Sequence, residues 1–228
     1  MVAAANNLLH VGLYAPAEAA RLVRAKPEAV ARWVHGTARG RHVINAQLSA
    51  LPSRTLTFRD LVQVLRIRNL RFRVRSVPVQ KIREAVRIAA RDYGIEHFLA
   101  NRCPLFAMGS DIGIRLPDGR NVTLTRPHRH QIVFPQVIEP FLEEITFDDS
   151  GYATQWEPLR RGDFVVQLHP ARRFGQPTVW PGGMLVDALA DAASAEGSID
   201  AAADAFETHS DAVRLALKYQ DMVSGLVA

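Results

Sequence analysis

Apolar residues recur every three or four positions through the first hundred residues, which is the helical period. After Pro16-Ala17-Glu18, the residues Ala19, Leu22 and Val23 form one such face. After Pro27, the residues Val30, Trp33 and Val34 form a second, which Gly36 ends. Proline suits the first helical position and glycine the position past the last. Two short helices are therefore predicted, joined by Arg24, Ala25 and Lys26. Thr57 caps a third helix from Phe58, with Leu61, Val62, Leu65 and Leu70 on its apolar face. The stretch Leu70–Arg75 alternates strictly, as a strand does, yet no breaker separates it from the helix before it, so the helix is expected to continue. A fourth helix starts at Pro78, carries Ile82, Val86 and Ala89/Ala90, and stops at Gly94.

The period changes after residue 105. Ile112–Leu116 and Val122–Thr125 flank Pro117-Asp118-Gly119-Arg120, a hairpin signal. Ile145–Phe147 and Tyr152–Trp156 flank a second, Asp148-Asp149-Ser150-Gly151. Pro135–Glu144 reads as a short helix and Val165–Leu168 as a strand. Pro170–Trp180 reads as an extended, exposed arm. Three helices follow: Met184–Ala195, Ser198–Phe206 capped by Ser198, and Ser210–Met222 capped by Ser210. Leu185, Leu189, Ile199, Phe206, Val213, Leu217 and Tyr219 are their expected common core. The fold class is thus α+β, mainly α. It comprises an N-terminal winged helix-turn-helix over 1–100, a small central antiparallel β sheet over 101–169, and an arm with a C-terminal trihelical domain over 170–228.

Two short helices with a tight turn can set the second in a DNA major groove. On the side of that helix away from Val30, Trp33 and Val34 lie Lys26, Glu28, Ala29 and Arg32. A wing is expected from Gly36 to His42, leading into a β-like run at Val43-Ile44-Asn45. It would carry Arg39, Arg41 and His42 toward phosphate or the minor groove. Five arginines between 66 and 75 (Arg66, Arg68, Arg71, Arg73, Arg75) are candidates to support the DNA backbone or an acidic partner.

Composition sharpens this picture. The chain has 228 residues, 48% hydrophobic and 22% charged, as soluble globular proteins do. One cysteine, Cys103, excludes an intramolecular disulfide framework. No signal peptide and no membrane span are expected, and a cytoplasmic location is. The net charge of +5 hides an uneven spread. Residues 1–100 carry +11, residues 101–180 are balanced, and residues 181–228 carry −6. The acidic tail opposes duplex DNA as its own ligand, because phosphates repel it.

Candidate chemistry is sparse. His128 and His130 supply two metal ligands where zinc needs three or four, beside Arg126 and Arg129, which repel a cation. Asp148-Asp149 fall on a turn, where Asp is expected for backbone reasons. No phosphate loop or nucleophile elbow occurs. Catalysis is not expected, and no cofactor or metal site is predicted. Arg172, Arg173, Phe174 and Trp180 on the arm are residue types that anchor interfaces, and they are the partner-binding candidates.

These residues carry a resemblance. Leu13–Gly36 resembles the MerR-type winged helix-turn-helix. Leu56-Thr57-Phe58-Arg59-Asp60-Leu61-Val62 and Val77-Pro78-Val79-Gln80-Lys81-Ile82-Arg83-Glu84-Ala85 resemble its continuation. Arg173-Phe174-Gly175-Gln176-Pro177-Thr178-Val179, Gly182-Gly183, Leu189, Gly197-Ser198, Ala202-Ala203, Phe206 and Val213–Leu217 are similar to a small homeodomain-like domain of unknown function common in bacterial antitoxins. The ordered pair resembles VapB-type antitoxins with an N-terminal MerR-like domain. Two departures stand out: Gly182-Gly183-Met184 replaces a Gly-Thr-Arg-like stretch, and Arg75-Ser76 replaces a glycine before the fourth helix. The resemblance implies a homodimer that binds operator double-stranded DNA through its N-terminal half. It implies that the C-terminal part neutralises a PIN-domain ribonuclease toxin within a toxin–antitoxin hetero-oligomer that represses its own operon. A stand-alone MerR-like transcriptional regulator with a C-terminal ligand- or partner-sensing region is the alternative. An RNA-processing factor using His128 and His130 is a third reading.

Overall fold

The computed structural model describes residues 11–37, 41–48, 54–72, 77–108, 110–125 and 144–225. The chain divides into two compact units, Tyr14–Ala153 and Thr154–Ala228, the latter with Met1–Leu13. Among the described residues there are seven α-helices and three small antiparallel sheets. The mixed α/β class was therefore legible in the sequence.

In the unit Tyr14–Ala153, helices α1 (Pro16–Leu22) and α2 (Pro27–His35) form where the apolar period placed them. The Glu18 carboxylate accepts from the Ala15 amide at 3.3 Å and closes the start of α1. Between the helices Arg24 takes a left-handed φ of 57°. That conformation turns the chain so that the Ala25 amide reaches back to the Ala20 carbonyl at 2.9 Å. Leu22, Val30, Trp33 and Val34 are buried.

No strand forms at Val43–Asn45, where a β-like run was expected after the wing; residues 38–40 of the expected wing lie outside the described residues. Val43 and Ile44 are both buried, so their side chains do not alternate as strand residues would. Their amides instead reach the Trp33 carbonyl, at 2.7 and 3.3 Å, and so occupy an orphaned acceptor near the C-terminus of α2.

Helix α3 (Phe58–Phe72) is the centre of this unit: Phe58, Asp60 to Ile67, Asn69 and Leu70 are all buried. The ambiguous alternation resolves as helix through Phe72, whose ring is 65% exposed. Arg73 and Arg75, and the Arg75-Ser76 departure, lie outside the described residues. Helix α4 (Val79–Tyr93) follows Pro78 and ends on Gly94 in the left-handed conformation, as expected.

Strands β1 (Leu13–Tyr14) and β2 (Leu56–Thr57) form a two-stranded sheet. Strands β3 (Leu105–Met108), β4 (Asp111–Arg115) and β5 (Asn121–Thr123) form a meander that includes the first predicted hairpin. Gly113 faces Phe106 across β3–β4, and a Cβ there would collide with the Phe106 ring. Lys81 on α4 pairs with the Asp111 carboxylate, which also accepts from Thr125 Oγ1 at 3.1 Å. Strand β6 (Ile145–Phe147) follows, and the turn Asp148–Gly151 leads from it into β7 (Ala153–Arg161). The helix expected at Pro135–Glu144 lies outside the described residues, except that Glu144 is a turn.

The other unit carries β7, β8 (Phe164–Leu168), β9 (Thr178–Trp180) and β10 (Met184–Leu185), hydrogen-bonded in that order. Pro158 sits where the β7–β8 register shifts between Trp156 and Leu159, so its missing N–H interrupts no regular ladder bond. The extended arm expected over Pro170–Trp180 does not form as such. Thr178–Trp180 is an interior strand paired with both β8 and β10, because Thr178 and Val179 are buried. Met184 and Leu185 are also strand, and α5 begins at Val186 and runs to Glu196.

Helices α6 (Ile199–Ala205) and α7 (Ser210–Ser224) complete the unit. Ser198 caps α6 through Ala201, as predicted, but α7 is capped by His209 Nδ1, which accepts from the Asp211 amide at 3.2 Å. Ser210 Oγ donates to Asp200 instead. Leu189, Val213 and Tyr219 are in the core as expected. Leu185, Ile199 and Leu217 are only half-buried, and Phe206 is exposed. Leu215, Ala216 and Val223 fill the core in their place.

One carboxylate joins the elements around α3. Asp60 is fully buried. Its oxygens accept from the Thr57 amide at 3.0 Å, the Gln47 amide at 3.2 Å and Gln63 Nε2 at 3.4 Å. The Asp60 amide in turn donates to Thr57 Oγ1 at 3.2 Å, which closes a reciprocal cap at the start of α3. Burial raises the Asp60 pKa, against the opposing pull of Thr57, Gln47 and the charge of His97. Its contribution to stability is thus full below the ordinary carboxylate pKa and declines as pH rises through the raised value. Asp60→Ala is expected to cost about 2–4 kcal/mol, since it strands buried donors. Urea midpoints of the two proteins should differ more near pH 4 than near pH 8.

Candidate nucleic-acid interface and partner surface

Helix α2 turns Val30, Trp33 and Val34 inward, so Glu28 and Arg32 are exposed on the opposite side, while Lys26 is exposed at its N-cap. Arg32 Nε donates to the Glu28 carbonyl at 3.2 Å, which fixes the guanidinium along the helix. Arg41 and His42 are exposed at the root of the following loop. Arg39 lies outside the described residues. Arg83 on α4 donates from Nε to the His42 carbonyl at 3.0 Å and ties that loop to α4.

A groove of about 260 Å³ opens here. Arg32, Arg41, Arg71 and Arg83 line it, with Trp33 and Phe72. Sequence reasoning reached Arg71 only as one of five clustered arginines, and it missed Arg83. The findable signal for Arg83 was position: it precedes Glu84 and Ala85 on α4, one residue past the buried Ile82. One of the five clustered arginines is turned away from solvent. Arg66 is 1% exposed, with its guanidinium 5.9 Å from the Phe147 ring, so it is a core residue and presents nothing to DNA.

The partner candidates Arg172, Arg173, Phe174 and Trp180 occupy the turn before β9 and that strand's end. Arg172 stacks 4.7 Å from the Trp180 ring centroid and donates from Nη1 to Gln167 Oε1 at 3.0 Å. Trp180 is 42% exposed and its ring lies 3.6 Å from the position a Gly183 Cβ would take. That is ordinary contact; what the Gly182-Gly183 departure supplies is backbone freedom, since the two residues have φ of 108° and 67°. Arg173, Phe174 and Gly175 have successive left-handed φ values of 47°, 57° and 84°. Such a conformation costs of order 1–3 kcal/mol at each non-glycine residue. It holds Phe174 at 57% exposure. Burial, then the nearby Arg172 charge, lowers the pKa of His169 at the start of this turn.

The groups weighed for chemistry behave structurally. Burial pushes the Cys103 thiol up to about 11, against the pull of Arg66. Its Sγ lies 3.4 Å from the Arg115 carbonyl. Burial would raise Asp148, but Ser150, the Tyr152 amide and the charge of Arg59 outweigh it and hold the carboxyl below its usual range. Asp148 thereby shapes the turn, as its position implied. His128 and His130 lie outside the described residues. Among the described residues no cluster of three or more His, Cys, Asp or Glu is arranged to hold a metal. No helix there is long and apolar enough to cross a membrane.

No protein-family model matches the chain. It is 29% identical over 226 residues to the protein named "Putative antitoxin VapB45" of Mycobacterium tuberculosis (strain ATCC 25618 / H37Rv), covering 91% of this chain and 93% of that protein. Among solved structures it is similar to Rv2018 from Mycobacterium tuberculosis, with a TM-score of 0.61 and 26% identity over 90% of this chain and 96% of that one.

The burial and raised pKa of Cys103 give a direct expectation. At pH 8 the native thiol should resist alkylation, and it should react fully once urea unfolds the chain. Rapid labelling of the folded protein would mean that the thiol is accessible and ionised.

Proposed function

We propose that the chain is a VapB-type antitoxin of a bacterial type II toxin–antitoxin system. It binds operator DNA as a dimer and neutralises a PIN-domain ribonuclease toxin in the cytoplasm. The observation that carries this reading is the similarity to VapB45 along more than nine-tenths of both chains. In this reading residues 1–100 act as the MerR-like winged helix-turn-helix, residues 101–169 connect, and residues 170–228 hold the antitoxin part.

Helix α2 supplies the DNA contact. An α-helix with its side chains is roughly 10–12 Å across, which suits a major groove about 12 Å wide. Lys26 and Arg32 meet phosphates or base edges, and Glu28 accepts from a cytosine amine or rejects other bases. Arg39, Arg41 and His42 add backbone contacts. The +11 balance of the first hundred residues supports this assignment.

The toxin contact belongs to Arg172, Arg173, Phe174 and Trp180. Arg172 and Trp180 brace each other, so little side-chain freedom is lost on docking. The exposed Phe174 and the Arg173 cation then suit an apolar pocket beside an acidic nuclease cleft. The acidic tail helices stay off the DNA.

Lys26→Ala with Arg32→Ala should weaken operator binding at least tenfold in gel shifts. Arg39→Ala with Arg41→Ala should lower the salt slope by roughly 0.9 for each phosphate the protein no longer neutralises. Co-expression with the adjacent reading frame should yield a co-purifying complex, and Arg173→Ala with Phe174→Ala should release it without unfolding the antitoxin. An adjacent frame that encodes no small nuclease, or no co-purification, ends the toxin reading.

A further inference from the structure

Four arginines far apart in sequence meet at the groove beside α2. Arg32 comes from α2, Arg41 from the loop after it, Arg71 from the last turn of α3, and Arg83 from α4. No acidic side chain lines the groove among the described residues. Three of the four guanidinium groups are aimed by main-chain carbonyls: Arg32 by Glu28, Arg83 by His42, and Arg71 by Val77 at 3.0 Å. A carbonyl takes one of a guanidinium's five donors and none of its charge. The fold thus orients three of these cations and places no carboxylate among the groove's lining residues, so an anion seated there would relieve their mutual repulsion.

The shape narrows the anion. A volume of about 260 Å³ holds roughly nine waters at about 30 Å³ each, far more than one small ion needs. Guanidinium forks match phosphate oxygens bidentately. The exposed Phe72 ring at the rim offers a flat apolar face beside the charges.

We propose that this groove is a phosphate-ester site that takes two neighbouring phosphate groups, with Arg71 and Arg83 as its essential forks. The phosphates come either from a nucleic-acid backbone or from the polyphosphate of a free nucleotide. In the backbone case the proposal rests on the DNA reading above; in the free-ligand case it does not.

The test uses the full chain with three probes: inorganic pyrophosphate, ATP, and a short duplex of arbitrary sequence. Binding is read by calorimetry and by tryptophan emission, since Trp33 lines the groove. Arg71→Gln with Arg83→Gln should weaken at least one probe about tenfold or more. Weakened pyrophosphate and ATP with an unchanged duplex identify a free nucleotide. A weakened duplex whose salt slope falls by about 0.9 for each phosphate no longer neutralised identifies the backbone. Circular dichroism and urea midpoints check folding. If the glutamine pair unfolds, Arg71→Lys with Arg83→Lys keeps the charge but removes the fork, and should still weaken the same probe.

Unchanged affinity for all three probes in a folded variant overturns the proposal. Lys26→Ala separates this outcome from the DNA reading. If Lys26→Ala weakens the same short duplex while the glutamine pair changes nothing, the groove falls and the DNA reading stands. If only the glutamine pair matters, the groove stands and contact through α2 falls.

Discussion

A single buried carboxylate constrains much of the unit Tyr14–Ala153. Asp60 lies where three chain segments must agree: the loop at Gln47, the end of β2 at Thr57, and the first turn of α3. A carboxylate has no donor when ionised, so every neighbour must supply one. That requirement fixes the Gln47 and Thr57 amides in place. Because α3 is buried along nearly its whole length, its start sets the register against which α2 and the turn Phe98–Ala100 pack. Arg71 and Arg83 are brought to the groove by their bonds to the Val77 and His42 carbonyls.

What was legible in the sequence was local. Pro16, Pro27, Pro78, Gly36 and Gly94 punctuate helices through backbone geometry that needs no tertiary context. The hairpin at Pro117–Arg120 was equally plain. What was not legible was decided by burial from afar. Arg66 reads as one of five alike, and only packing sends it inward. Val43 and Ile44 read as strand because they are β-branched, yet the Trp33 carbonyl outcompetes a ladder partner. Thr178–Trp180 read as an arm because Pro177 and Gly175 flank it, whereas β8 and β10 on either side recruit it into a sheet. His209 was passed over as a cap because serine is the commoner choice.

The candidate site shows the same division. Lys26, Glu28 and Arg32 follow from one helix's periodicity, so the sequence reached them. Arg71 and Arg83 come from two other helices, and periodicity within one element says nothing of what a neighbour brings. Likewise Arg172 and Trp180 are eight residues apart, and only the turn at Arg173–Gly175 folds one over the other.

The bond from Val43 and Ile44 to the Trp33 carbonyl has a mechanical side. It splices the loop bearing Arg41 and His42 onto the end of α2, close to Arg32. The loop and the helix therefore move as one lever. A ligand that engages the loop displaces or steadies the helix at the same time, so binding energies at the two places are coupled rather than additive. Affinity at this face is then a property of the lever as a whole.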